Sequence, residues 1–561
     1  MGHEVLEKLC LFSSILCVES YLKLRWIVWI KTAMTMVFRS KIFNALVVRI
    51  GFGILCFGYS CFGKPDALRV ALSVEIENLD PQLSTSIDSI KVQCALFETL
   101  VGVDSESGRV VPLSAKSWEI SNDGRTYKFS LREDLKWSDG TSIVADDYLF
   151  AMQRLLHGEL AAPFADLYLC IKGARAYREE DTAFSSVAVK ATDEQTLEIT
   201  LERPVPYFLS LMARPCTAAL PESFLKKSGN FYDRNSDWAS VPGFPCSGPF
   251  VLSEWVVNKW IKLKRNPYYW NGKELQFEEV VFYPMESVYA QEQGILVDLL
   301  DVNSKIATDR VMTYFNSPMY QRQDEMGTFY IITNCNEGSG AAAFSVNERR
   351  ILFNEVNREV ITGNLRGRGE SPAVRFVPPL WQDYQNLISK EVQSEAERPG
   401  EGSIAGKFRL LISSSETNRA IAEAVQSMWE GRLGIKIEIV QQEWKSYLDS
   451  RNRGDFDLCL ATWIGDYPDP LTFLEMWTSG HTNNFAKWSD PRYDELVEES
   501  HLETDSEKRF ALLAKAENRL LNQAAIIPLF FLNRVYLKSD RIGRWPQSVL
   551  NTVDYTKVTR K

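Results

Sequence analysis

Between residues 408 and 463 the hydrophobic pattern switches repeatedly between strand and helix, and this alternation limits the fold more than any other feature of the chain. Residues 408–412 read as a strand, 418–433 as a helix and 435–440 as a second strand, which together make a β-α-β unit. Residues 444–451 return to helix. The next run, FDLCLATW at 456–463, is an apolar strand that enters the stretch WIGDYPDP without a break. There one carboxylate, Asp466, stands among apolar and aromatic residues before two prolines interrupt the chain.

The rest of the chain is also mixed. Residues 68–74, 126–131, 280–284 and 328–333 read as strands, and 89–100, 145–156 and 347–356 as helices. Two acids open the helix at 145, where the helix dipole favours them. Residues 187–201 form a hairpin, and 250–255 with 260–265 form another. The run 265–272 is a turn-rich loop and 391–406 a polar, Gly-rich surface loop. No internal repeat is visible. At 561 residues there is material for several domains.

Charge and composition narrow the partners. A hydrophobic content of 45% with 24% charged residues is that of a soluble globular protein. A net charge of -10 without any basic block excludes nucleic acid, whose phosphates want a basic face. Aromatic residues reach 12%, which supplies broad contact surface for cores and clefts.

The N-terminus is a separate matter. Arg39 and Lys41 flank an apolar run at 42–57, interrupted by Asn44 and Arg49, and small or polar residues lead to Cys61. This reads as a secretory signal, too short and interrupted for a membrane span. The sequence around Ser60-Cys61 loosely resembles a bacterial lipoprotein site. Ser precedes Cys, but the usual Leu three places earlier is missing, so lipidation of Cys61 and simple cleavage both stay open. Starting at Met34 or Met36 would give a signal of ordinary length. Residues 1–61 are set apart from the fold as an extension plus signal peptide. Export permits disulfides. Cys216 and Cys246 flank one segment and either pair or remain two buried thiols. No CxxC pair is present, so a zinc site is not expected.

Signals for catalysis are thin. The four histidines, His3, His157, His481 and His501, have no metal spacing, and neither GxSxG nor GxxxxGK[ST] occurs. His481 and Asp466 could form an acid–base pair, against the plainer reading of a polar loop residue. Asp466 itself has two readings. It can accept backbone N–H groups in a turn, or meet a cation in a partly dry cleft, where the attraction is stronger than in water.

An ordered series of phrases resembles the oligopeptide- and dipeptide-binding proteins of bacterial ABC importers, over most of residues 70–550. It runs through LREDLKWSDGT (131–141), ADDYLFAMQRLL (145–156) and LERPVPYFLSLM (201–212). SGPFVLSEWVVNKWIKLKRNPYYW (247–270) is the most specific phrase, followed by QEWKSYLDSRNRGDFD (442–457), WIGDYPDP and TNNFAKWSDPRYDEL (482–496). The resemblance implies an α/β, two-lobed periplasmic binding protein fold of the large, three-domain peptide-binding type, with mixed sheets and a central ligand cleft. Residues 66–97, 211–326 and 534–561 would form a discontinuous lobe I, 98–210 an extra domain packed on it, and 327–533 lobe II. A peptide would lie extended, paired through its backbone to strand-like segments.

Carried over by position, Asp466 would hold the peptide α-ammonium, which favours its functional reading. Gly465 and Tyr467 flank it in the same motif. Phe164, Trp444 and Trp463 would line the cleft, Asn483 would bond the peptide, and Ser86 and Ile87 would lie in a strand paired with the ligand backbone. Arg451 resembles a carboxylate-binding cation, whereas Leu460 and Asn418 stand where the family has an Arg and a His. Some relatives carry a disulfide at the positions of Gly327 and Ile464, and both cysteines are absent here. The expected protein is no enzyme and needs no cofactor or metal. It is a monomeric receptor in the periplasm or on the outer face of the cytoplasmic membrane, touching the membrane only through an anchor at Cys61. It delivers short peptides to an ABC permease and its ATPase. Cell-wall stem peptides, another small solute, or a non-transport surface or adhesion role are the alternatives.

Overall fold

The computed structural model describes residues 67–561 apart from 181, 228, 230, 337–343, 368 and 392–402. The signal segment with Cys61, and most of the loop expected at 391–406, lie outside the described residues.

The β-α-β unit forms one edge of a six-stranded sheet. Strand Lys407–Ser413 pairs in parallel with Lys436–Gln442 on one side and with Leu458–Ile464 on the other. Helix Glu416–Leu433 makes the first crossover. It starts where the Ser415 side chain accepts the Asn418 N–H and stops at Gly434, whose φ of 70° suits glycine. Ile421, Val425 and Trp429 recur about one turn apart and bury one helix face against Leu410 and Leu458. Each aliphatic side chain buried this way contributes about 1.5–3 kcal/mol. Cys459 and Ala461, on the other face of the last strand, enter a second cluster. Burial on both faces explains why that strand reads as one apolar run.

Antiparallel strands complete the sheet: Tyr320–Thr333 beside Leu458–Ile464, then Ile526–Leu537, then the short edge Ser371–Pro372. Sequence pattern does not single out Ile526–Leu537, because Pro528 lies inside it and a proline argues against a central strand. The structure places Pro528 at a break in register opposite Tyr330, where a missing N–H is tolerated.

These two long strands pass from one lobe to the other. Ile331, Ile527 and Leu529 pack in the core of lobe II, whereas Val535 and Leu537 pack with Ala71 and Ile295 of lobe I. Their register breaks between Asp324 and Thr328. The break therefore lies between two separately packed ends. Lobe I is built on four strands, with Ala67–Leu72 parallel to Glu279–Pro284 and the hairpin Phe250–Val256 and Trp260–Arg265 beyond. The C-terminal residues Tyr555 and Val558 return to its core.

A third sheet holds Ala115–Ile120, Thr126–Leu131, Thr196–Thr200 and Val189–Asp193, all antiparallel. Helix Ala145–Leu156 connects it to lobe I through Phe150 and Ala151. Tyr127, Phe129 and Leu197 share a cluster with Met326, Ala461 and Tyr467, so this region touches lobe II as well. The six described cysteines are free. Cys216 lies 3.4 Å from the Tyr168 hydroxyl, and Cys246 belongs to the separate lobe I core, so the two do not pair. Gly327 and Ile464 face each other directly across the antiparallel pair. A Cβ at 327 would come within 2.6 Å of the end of the Leu532 side chain, which would have to shift to admit it.

Candidate functional site

In open α/β sheets a ligand meets the carboxyl ends of parallel strands where the connections diverge. Here that point lies after Ser413, Gln442 and Ile464, the ends of three adjacent strands. Asn418, Trp444 and Asp466 follow those ends within a few residues. Asn418 is occupied locally, its amide donating 2.8 Å to Ser413 Oγ. Trp444 is 61% exposed and stacks on Tyr447, and Ile464 is 63% exposed. Large apolar side chains this open, at a strand edge beside a charge, suit an apolar cleft wall.

Asp466 leaves the strand through a tight corner. Gly465 N–H bonds the Met326 carbonyl at 2.9 Å, inside the register break. A Cβ at 465 would lie 2.7 Å from Thr472 and 3.0 Å from Met326, so only glycine fits. Thr472 closes the loop: its hydroxyl accepts the Asp466 N–H at 3.0 Å and its carbonyl accepts Trp463 Nε1 at 2.9 Å. Asp469 is clamped by both terminal nitrogens of Arg509 at 2.8 and 2.7 Å. Tyr467 is buried, stacked on Tyr207 at 3.8 Å and bonded to Glu475, so its ring supports the corner and does not face the cleft.

The Asp466 carboxylate itself receives no hydrogen bond or ion pair among the described residues. It is exposed, yet the surrounding protein displaces enough water to raise its pKa, while the Arg214 guanidinium pulls it the other way. The turn reading is therefore met by the backbone N–H of Asp466, not its side chain. His481 does not pair with it. Its Nδ1 accepts the Asn483 N–H at 3.1 Å, and partial burial lowers its pKa.

Arg451 lies on helix Trp444–Arg453, its guanidinium 4.1 Å over the Phe485 ring and 5.6 Å from that of Tyr447. Its Nε is buried without a partner, and no carboxylate closes on it among the described residues. Asn483, two residues before Phe485, joins this side of the site. Leu460 points into the lobe II core at 2% exposure, so no cation is regained at that position.

Ser86 and Ile87 stand apart from this group. The strand expected there is a helix start: Ser86 is the N-cap of Ile87–Leu96 and accepts the Ser89 N–H at 3.0 Å. Both are exposed and line a cleft of about 1050 Å³ with Lys91, Glu325, Arg534 and Glu416 of the opposite lobe. That cleft is not lined by Asp466 or Arg451. Phe164 does reach the acid, through Arg214, which lies 4.8 Å over its ring and donates to the Asp466 carbonyl. Nothing local marks Arg214 in LMARPC. Only packing brings it to a residue 252 positions away.

Residues 109–485 match the family model described as bacterial extracellular solute-binding proteins, family 5. The chain is 30% identical over 495 residues to the periplasmic oligopeptide-binding protein OppA of Salmonella typhimurium, covering 84% of this chain and 88% of that one. It is 31% identical over 481 residues to the periplasmic murein peptide-binding protein MppA of Escherichia coli, covering 81% and 86%. Among solved structures, the unliganded open form of MppA superposes with a TM-score of 0.77 at 27% identity, over 89% of this chain and 98% of that one. A second MppA structure reaches only 0.64, and Haemophilus influenzae OppA in complex with the peptide RPPGFSPFR 0.63 at 26% identity, each over 89% of this chain and 99% of that one. The chain belongs to the family 5 bacterial extracellular solute-binding proteins. Its two-lobed α/β architecture is theirs. The family consists of binding receptors. Among the described residues no helix is long and apolar enough to cross a membrane.

Proposed function

We propose that this protein captures short peptides in extended form between its lobes and delivers them to the permease of an ABC importer. One observation carries the reading. Two opposite charges, Asp466 after the carboxyl end of strand Leu458–Ile464 and Arg451 in the last turn of the helix that leads back to that strand's start, have side chains with no hydrogen-bonded or ionic partner among the described residues. Such groups fit the free ammonium and the carboxylate of a peptide, whose backbone supplies the remaining contacts. The peptide partners in the names of OppA and MppA support the same cargo. Ligand that touches both lobes favours the closed state by its differential affinity, and no cofactor enters. The receptor works as a monomer outside the cytoplasmic membrane, either cleaved free before Cys61 or lipidated there, in which case further membrane contact is needed, since one acyl chain binds only marginally.

A murein peptide is the second reading. It is favoured by the 31% identity to MppA and by Leu460 in place of a family cation. Native mass spectrometry of gently purified protein separates the cargoes by mass. Asp466→Asn tests the site. It should weaken free-amine tripeptides by about 2 kcal/mol, roughly thirtyfold, in titration calorimetry, and leave N-acetylated ones unchanged. Equal affinity of wild type and variant for free-amine peptides would remove the assignment.

A further inference from the structure

The acid has a fixed cation beside it. Arg214 is held from both ends: its carbonyl accepts the N–H and the hydroxyl of buried Thr217 at 3.0 and 2.9 Å, and its guanidinium carbon lies over the Phe164 ring, 4.8 Å from its centroid. One terminal nitrogen donates to the Asp466 backbone carbonyl. A simple clamp between lobes would have seated the guanidinium on the carboxylate, the stronger acceptor. Instead no ion pair joins the two side chains among the described residues, and Arg214 Nε has no partner at all. A positive and a negative group therefore stand next to each other, each with bonding capacity left over. A bare ammonium arriving at Asp466 meets a like charge in Arg214. A ligand whose ammonium has an anionic group close by satisfies both.

We propose that Arg214 is a specificity-determining residue that selects peptides with an acidic first residue: Asp466 takes the α-ammonium while the guanidinium takes the adjacent side-chain carboxylate. The planar fork of Arg suits a carboxylate, and its stack on Phe164 fixes the approach. This deepens the peptide-receptor reading and rests on it.

The test is titration calorimetry with Glu-Ala-Ala, Ala-Ala-Ala and Ala-Ala-Glu, against wild type, Arg214→Gln and Arg214→Lys. Wild type should bind Glu-Ala-Ala at least about tenfold tighter than either other peptide, the worth of one charge-assisted hydrogen bond. Arg214→Gln should erase that ratio while keeping or improving Ala-Ala-Ala binding, and Arg214→Lys should restore part of it. A merely structural arginine would lower all three affinities together. The inference is overturned if wild type binds Ala-Ala-Ala as well as Glu-Ala-Ala, or if Arg214→Gln keeps the ratio. If the glutamine variant fails to fold, the wild-type ratio and the lysine variant decide. If wild type binds none of the three peptides but does bind another solute, the peptide reading falls and this inference with it.

Discussion

Asp466 and Arg451 are charges whose side chains have no hydrogen bond or ion pair among the described residues, and each can be tested alone. The Asp466 carboxyl titrates above its ordinary range because burial disfavours its charged form. Only the charged form holds an ammonium. Affinity for free-amine peptides should therefore be full at neutral pH and fall as pH drops through that raised pKa, before ordinary carboxylates protonate. N-acetylated peptides should show no such loss in the same calorimetric series. Arg451→Leu should cost free-acid peptides about tenfold and spare amidated ones, the loss of one charge-assisted contact. An equal loss for both would make Arg451 a support for Phe485 and Tyr447. Ser86 illustrates the opposite case. Its exposed position suggests a ligand contact, but its hydroxyl already caps a helix and bonds Ser89.

At the scale of the element, the strand Leu458–Ile464 and its exit loop behave as one piece. The corner depends on the absence of a side chain at Gly465 and on a buried pair beneath it. Gly465→Ala should strain the corner by about 1–3 kcal/mol, visible as a lowered denaturation midpoint. Arg509→Met should cost more, about 3–5 kcal/mol, because it strands the Asp469 carboxylate where it is only 9% exposed. A chemical-denaturation curve separates the two. If Arg509→Met is the milder change, water reaches Asp469 and the pair is not the anchor. The long strands Tyr320–Thr333 and Ile526–Leu537 carry the other mechanical element, the bulge after Asp324. Met326 within it bonds Gly465, so the bulge and the corner before Asp466 share a backbone contact.

For the whole molecule the decisive variable is how far apart the lobes stand. The open MppA form superposes better than the other structures compared, and Ser86 and Ile87 line a cleft that Asp466 does not share. Saturating peptide should lower the radius of gyration measured by small-angle scattering, and Asp466→Asn should need correspondingly more peptide for the same change. An unchanged radius at saturation would refute closure. Much of this protein was legible in its residues. The β-α-β order, the continuous apolar strand and the first acid after it define the lobe II sheet and place Asp466 at its carboxyl edge, because periodicity and chain direction are local properties. The strand at 526–537 was hidden by Pro528, since a proline's tolerance depends on a partner's register and not on its own neighbours. The same holds for Arg214, Thr472 and Arg509, and for Tyr467 being support where the motif suggested contact. Which side chains share a wall, and which charges remain unpaired, is settled only when segments hundreds of residues apart are packed together. Local sequence carries no record of those distances.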